Sequence, residues 1–448
     1  ILLAGNNVSK ATEIVKELNK SHSQSTQVEV LTTTMLLQQG KIDEAYTQLK
    51  KAVKNTPDSV PLQLLLAQAA AAKGDTALSE ASFRIAAQLD PASLAAQNGL
   101  ASIASRRGDS SSLAQIAENT IAAHPEYANA YLWRGIAEAN GSQFDQAEID
   151  FQTALKKDPN SADAYTQLGQ LRLRQQRVAE GNAMLEKALE KDPNAARALN
   201  LLITSDLTAK QPAKAIARIQ QLIVKSPNSS VLYGDLAGVQ LNMKDYAGAK
   251  DSASKSMQLN PANEDAVEAF SHAAAGLGQN DQGIAIWERW LQSHPNDSRA
   301  TLLLGTFEEA NGDVAKASEY YKKTLAISPN QPMASNNLAY LEIENGGNPD
   351  VALTLAQTAR RGMPESPNTA DTLAWVYYHA GRYDSARDLL EDAVKSDSDS
   401  ALIRYHLGMT YTKLKQFSDA KTQLAKASAL SPGSVTGKKA AEALAQLH

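Results

Sequence analysis

Nine prolines, Pro57, Pro91, Pro125, Pro159, Pro193, Pro227, Pro261, Pro295 and Pro329, each follow the last by 34 residues. A fixed period of this length marks a helix–turn–helix array, in which each unit touches only its neighbours and the chain grows in one dimension. The 448 residues therefore need not divide into the several globular domains that their number would otherwise suggest. The question of function moves with it, from an active site to a surface.

The block from Ala162 to Pro193 shows the physics of one unit. The pattern predicts helix A over roughly 162–175 and helix B over roughly 179–190. Tyr165, Leu168 and Gly169 share one face of helix A, and Gly181, Leu185 and Ala188 form the matching stripe of helix B. Gly169 lets the two helices approach closely. Asp192-Pro193-Asn194 ends the unit, because proline cannot continue the helix and pushes its predecessor out of helical geometry. Asn194 suits the turn or the cap of the next helix.

The same offsets recur. The small residue of helix A is Ala67, Ala101, Gly135, Gly169, Ala237, Gly305, Ala339, Ala374 and Gly408. Glycine marks the inter-helix turn at Gly40, Gly74, Gly108, Gly278, Gly312 and Gly381. Leu168, Leu236, Leu304, Leu373 and Leu407 fill the space between. Leu373-Ala374, Tyr377, Gly381, Tyr383, Ala386, Leu390 and Ala393 are the clearest copy of a pattern that resembles the tetratricopeptide repeat. The resemblance covers almost the whole chain. It implies an all-α superhelical solenoid of about twelve repeats over 26–432. A partial repeat precedes it at 1–25, with a helix B at Ala11–Leu18, and a capping or docking helix follows at 433–448. Two departures are expected to alter turns without breaking the array. The step from Pro329 to Pro364 is 35 residues, with the extra residue in Gly346-Gly347-Asn348, and Ser398 replaces the next proline.

Composition excludes several functions. There is no cysteine, hence no disulfide, thiolate nucleophile or Cys-based zinc site. A net charge of −5 offers no basic excess for nucleic acid. The longest nearly apolar run, Leu64 to Ala72, is too short to span a membrane. The chain starts at Ile1, which suggests a trimmed form whose signal peptide or lipid anchor is out of view. No two histidines have the spacing of a helical metal pair, and no phosphate-binding loop or nucleophile elbow occurs. His124 and His294 read as solvated positions between repeats, while His379 and His406 lie near aromatics. Neither an enzyme nor a cofactor is expected.

Function then rests on the inner face of the helix A positions. The C-terminal repeats place Asn336 and Tyr340, then Asp371, Trp375 and Tyr378, then Tyr405 and Met409 there, where earlier repeats carry Thr204, Gly238 and Thr306. Tyr and Trp offer large contact area with a polar handle, so these seven residues are the expected groove for a protein or peptide partner. Trp375 is read as pointing away from the Leu373–Tyr377 packing stripe. Trp287 and Trp290 read as core. The basic cluster with which related arrays clamp a C-terminal carboxylate is missing. The segment 336–424, through Asn336-Asn337-Leu338-Ala339-Tyr340, Asp371 to Tyr378 and Arg404 to Gly408, resembles bacterial envelope proteins linked to exopolysaccharide export and surface-protein sorting. That resemblance implies a secreted or periplasmic, non-catalytic scaffold. The alternative is a filament subunit, in which the last helix, through Val435, Ala443, Leu444 and Leu447, docks head-to-tail on the next copy.

Overall fold

The computed structural model describes residues 14, 15, 17, 18 and 25–447. Of the expected helix Ala11–Leu18, Ile14, Val15, Glu17 and Leu18 are helical, and the rest lies outside the described residues. The chain divides into two compact units, Ile1–Ala215 and Ile216–His448. In the first lie α1 (Thr26–Gln38), α2 (Ile42–Asn55), α3 (Val60–Ala72), α4 (Thr76–Leu89), α5 (Leu94–Arg107), α6 (Ser110–Ala123), α7 (Ala128–Asn140), α8 (Phe144–Lys157), α9 (Ala162–Arg174), α10 (Val178–Lys191) and α11 (Ala196–Thr208). The division falls within α12 (Pro212–Lys225). The second unit continues with α13 (Ser230–Asn242), α14 (Tyr246–Leu259), α15 (Glu264–Gly276), α16 (Asn280–Ser293), α17 (Ser298–Ala310), α18 (Val314–Ile327), α19 (Pro332–Glu344), α20 (Pro349–Gly362), α21 (Pro367–His379), α22 (Tyr383–Ser396), α23 (Ala401–Lys413), α24 (Phe417–Leu430) and α25 (Val435–Ala445). Within each unit successive helices pack as antiparallel neighbours.

Every turn from helix A to helix B is built on one left-handed residue. Glycine fills it at Gly40, Gly74, Gly108, Gly278, Gly312, Gly346 and Gly381; Ser142, Gln176, Lys210, Lys244 and Lys415 adopt the same backbone with φ between 56° and 62°. Glycine has no Cβ to clash there, so the turn glycines are explained by backbone geometry. The added residue near 347 lengthens one turn, and Asn348 then caps α20 by accepting from the amides of Asp350 and Val351. Before each proline the last residue of helix B is extended, as at Thr56 (φ −136°) and Asp158 (φ −130°). Asp397 keeps this geometry (φ −133°) although Ser398 follows it. The turn also keeps its hydrogen bond: Arg404 Nε donates to Ser398 O at 2.7 Å, as Gln63, Gln97 and Tyr131 donate to the carbonyls of Pro57, Pro91 and Pro125.

The A–B contact is a match of small against large. A Cβ on Gly135 would lie 2.7 Å from the Phe151 ring, and one on Gly408 would lie 2.6 Å from Leu424 Cγ. Where Ser271 takes the small position, the buried Trp287 fills the gap and donates its indole N–H to Ser271 Oγ at 2.9 Å. Trp287 and Trp290 are core, as expected. His294 is not merely solvated: it stacks on Trp290 at 4.0 Å between centroids. His124 is also anchored, Nε2 lying 2.6 Å from Ala92 O.

Candidate partner-binding site

In the second unit the A helices α19, α21, α23 and α25 lie side by side, each packed on the next. They bring the seven residues expected of the groove onto one face. Trp375 is the hub. One face of its indole is stacked on Tyr378 at 4.5 Å and 11°, the other on His406 at 3.9 Å and 15°. Its N–H donates to Glu344 Oε1 at 2.6 Å. His379 meets its edge at 4.9 Å, and Tyr405 tilts towards it at 6.3 Å. Beneath this slab His406 Nδ1 lies 2.8 Å from Asp371 Oδ1.

Burial corrects part of the expectation. Trp375 is 5% exposed and packs with Ala339, Ile343, Leu373 and Val376; Asp371 is 3% exposed and engaged by His406. Neither is free for a partner. Asn336, Tyr340, Tyr378, Tyr405 and Met409 remain half-buried around them. The Asn336 amide donates to Asn337 Oδ1 at 3.3 Å. The hydroxyls of Tyr340, Tyr378 and Tyr405 make no hydrogen bond among the described residues, whereas those of Tyr321 and Tyr411 donate to Glu309 and Glu391. Burial pushes the Tyr378 phenol up to about 12, with Tyr383 and Tyr405 adding to it. Burial also raises Tyr340 and Tyr405, and Glu344 is the first charge acting on each. The His379 imidazole is lowered, first by burial. The raised phenols are neutral near pH 7, so the face offers rings and phenolic hydroxyls beside the Glu344 carboxylate.

Models of the tetratricopeptide repeat match residues 35–93, 98–162 and 268–332, and a second repeat model matches 142–203. This chain is a tetratricopeptide-repeat protein. Residues 345–427 of the repeat protein also match the family described as anaphase-promoting complex, cyclosome, subunit 3. A TPR repeat-containing protein of Pseudomonas aeruginosa is 24% identical over 182 residues, 39% of this chain and 31% of that protein. The photosystem I assembly protein Ycf3 of Rippkaea orientalis is 32% identical over 93 residues, 19% of this chain and 54% of that protein. The match thus spans between a third and about half of these curated relatives. Among solved structures, the Cut9–Hcn1 hetero-tetramer of the APC/C aligns with 96% of this chain and 98% of its own at 18% identity and a TM-score of 0.48. A tetratricopeptide repeat protein from Parabacteroides merdae aligns with 55% of this chain and 96% of its own at 17% identity and a TM-score of 0.44.

The four residues expected to dock end to end separate in this repeat protein. Val435 is 71% exposed. Ala443, Leu444 and Leu447 instead pack against Leu424, Ala427 and Ala440 beside Tyr405 and Met409, so they cover the preceding repeat. The exposed positions of α25 include Lys438, Lys439, Glu442 and Gln446, the polar residues a cap needs. Glu344 was missed as a member of the site, and His406 was noted only as lying near aromatics. Both lie on A helices of the aromatic repeats, Glu344 one turn after Tyr340 and His406 one residue after Tyr405, and proximity to those tyrosines was the signal that could have found them. Among the described residues no helix is long and apolar enough to cross a membrane.

Proposed function

We propose that the chain is a non-catalytic protein–protein interaction scaffold, and that the face made by α19, α21, α23 and α25 binds a segment of its partner. One observation carries this reading. Tyr340, Tyr378 and Tyr405 stand around a preassembled ring slab with hydroxyls that make no hydrogen bond among the described residues. Rigid aromatic side chains with an unused polar tip give contact area at small cost in conformational freedom. Their being held in place by packing raises the affinity such a surface can reach.

Photo-crosslinkers placed at Tyr378 and Tyr405 should capture the partner, and Tyr405→Ala should then weaken binding of the purified partner by about 2 kcal/mol. Crosslinks equally strong from Val224 or Lys255, on B helices, would refute the groove. The bacterial envelope or cell exterior is the proposed location, on the resemblance at 336–424; recovery of the native protein in the cytosolic fraction would refute it. Head-to-tail filament assembly loses support as the alternative, since three of its four docking residues are engaged within the chain.

A further inference from the structure

The inner face already holds a cation. Lys439, on the last helix, brings its ammonium to 3.9 Å from Glu344 Oε2. Glu344 lies on α19 and Lys439 on α25, so the contact passes across α21 and α23. It is a loose contact: the Lys439 side chain is 52% exposed, and an exposed pair at this separation is weak. The other oxygen of Glu344 is taken by the Trp375 indole. Oε2 is the oxygen left to attract a charge from outside.

The surroundings of that oxygen are aromatic. Tyr405 tilts towards the Trp375 ring that holds Glu344, at 6.3 Å, and Tyr340 lies 6.3 Å from the His406 ring stacked on that indole; the Glu344 charge adds to the burial that raises both phenols. Neither hydroxyl makes a hydrogen bond among the described residues, and each phenol oxygen can accept one. A carboxylate oxygen on this aromatic face, its partner oxygen already held by the Trp375 indole, suits a cationic side chain, which gains charge pairing and ring contact together. A carboxylate-bearing segment would meet Glu344 as a like charge.

We propose that Glu344, Tyr340 and Tyr405 form the subsite for an arginine of the bound partner segment, and that Lys439 fills this subsite in the free protein. The proposal rests on the groove reading above and assigns the chemistry of its ligand. Arginine is favoured over lysine on geometric grounds. A lysine would replace Lys439 like for like. A guanidinium has a planar fork that can bridge Glu344 Oε2 and a phenol oxygen while lying against a ring. Lys439 is thus an internal competitor, and the apparent affinity of the groove is reduced by the fraction of time it occupies the subsite.

The test uses the full chain labelled with ¹⁵N-tryptophan. Its four tryptophans give four indole signals, and Trp375→Phe assigns the one that reports on Glu344. The probes are acetyl-Leu-Arg-Tyr-amide and the same peptide with citrulline, which keeps the shape of arginine without its charge. The arginine probe should shift the Trp375 signal and bind at least about ten-fold more tightly than the citrulline probe. Glu344→Gln should remove that preference. Lys439→Met, which deletes a loose surface contact and leaves the fold intact, should tighten arginine binding by about two- to five-fold. Equal binding of the two probes, or an affinity unchanged or weakened by Lys439→Met, would overturn the cationic subsite and leave the groove standing. No shift of the Trp375 signal with either probe would overturn the subsite and the groove together.

Discussion

Trp375→Ala is the substitution that most sharply divides a surface tryptophan from a structural one. At 5% exposure the indole is as buried as a core residue, and truncating such a side chain costs about 3–5 kcal/mol. The two stacked contacts, with Tyr378 and His406, account for about 0.5–1.5 kcal/mol each. The remainder is the cavity left among Ala339, Ile343, Leu373 and Val376. Loss of the indole hydrogen bond adds little, because the Glu344 side chain is 28% exposed and water can replace the donor. Each repeat is coupled chiefly to its neighbours, so the loss should be local. Hydrogen exchange followed by mass spectrometry should show faster exchange in α19 to α25 and unchanged protection in α3 to α9. Trp375→Phe should lie between the wild type and alanine. A loss below about 1 kcal/mol, with protection in α19–α23 unchanged, would show that the side chain faces solvent and that the slab does not hold these repeats together.

Gly135→Ala should cost about 1–3 kcal/mol by overpacking against Phe151, and adding Phe151→Leu should recover part of that loss in chemical denaturation; strict additivity would argue against the small-on-large contact. Gln176→Gly relieves a left-handed non-glycine residue (φ 62°) and should raise stability by up to about 1 kcal/mol, read as a higher denaturation midpoint. Glu138 gives a pH signature: burial first, then Asp150, pushes its carboxyl up to about 7 from 4.5. The folded state therefore binds the proton more tightly than the unfolded chain. This contribution is fully present below about 4.5 and is lost as pH rises through about 7. Glu138→Gln should flatten the melting temperature across that window; a slope equal to that of the wild type would refute the assignment.

The array was legible because its constraints are local and repeated. The residue before each proline must leave the helix, and glycine sits where the turn requires a left-handed backbone, so helix positions follow from spacing alone. Even so, five turns use Ser142, Gln176, Lys210, Lys244 and Lys415 in that conformation, and glycine counting misses them. The hydrogen bond from Arg404 to Ser398 O was equally hidden, because it is made by a side chain from the next helix and leaves no mark in the spacing of prolines. The ends were less legible. An apolar circumference on α25 read as a docking face, but a helix that covers the final repeat needs the same residues, and Ala443, Leu444 and Leu447 serve that contact.

The sequence placed Trp375 on an open face, and the structure buries it, for a single physical reason. The helix A position of Trp375 does face an open side in other repeats: a Cβ on Gly238 would meet no atom within 4 Å. A sequence argument about one helix can see that direction. It cannot see that the neighbouring repeats place Tyr378, His406 and Tyr405 within stacking range of the same ring. Large rings on successive repeats then bury one another, and a stripe of surface positions becomes a second, minor core. Its consequence for binding is specific. The buried ring no longer offers its faces, but it holds Tyr378 in place and fixes Glu344 through the indole N–H, leaving the outer tyrosines half-buried. On the proposed groove reading, a partner would meet a wall whose ordering cost was met on folding, so substitutions at Tyr405 should act on affinity while those at Trp375 act first on the fold.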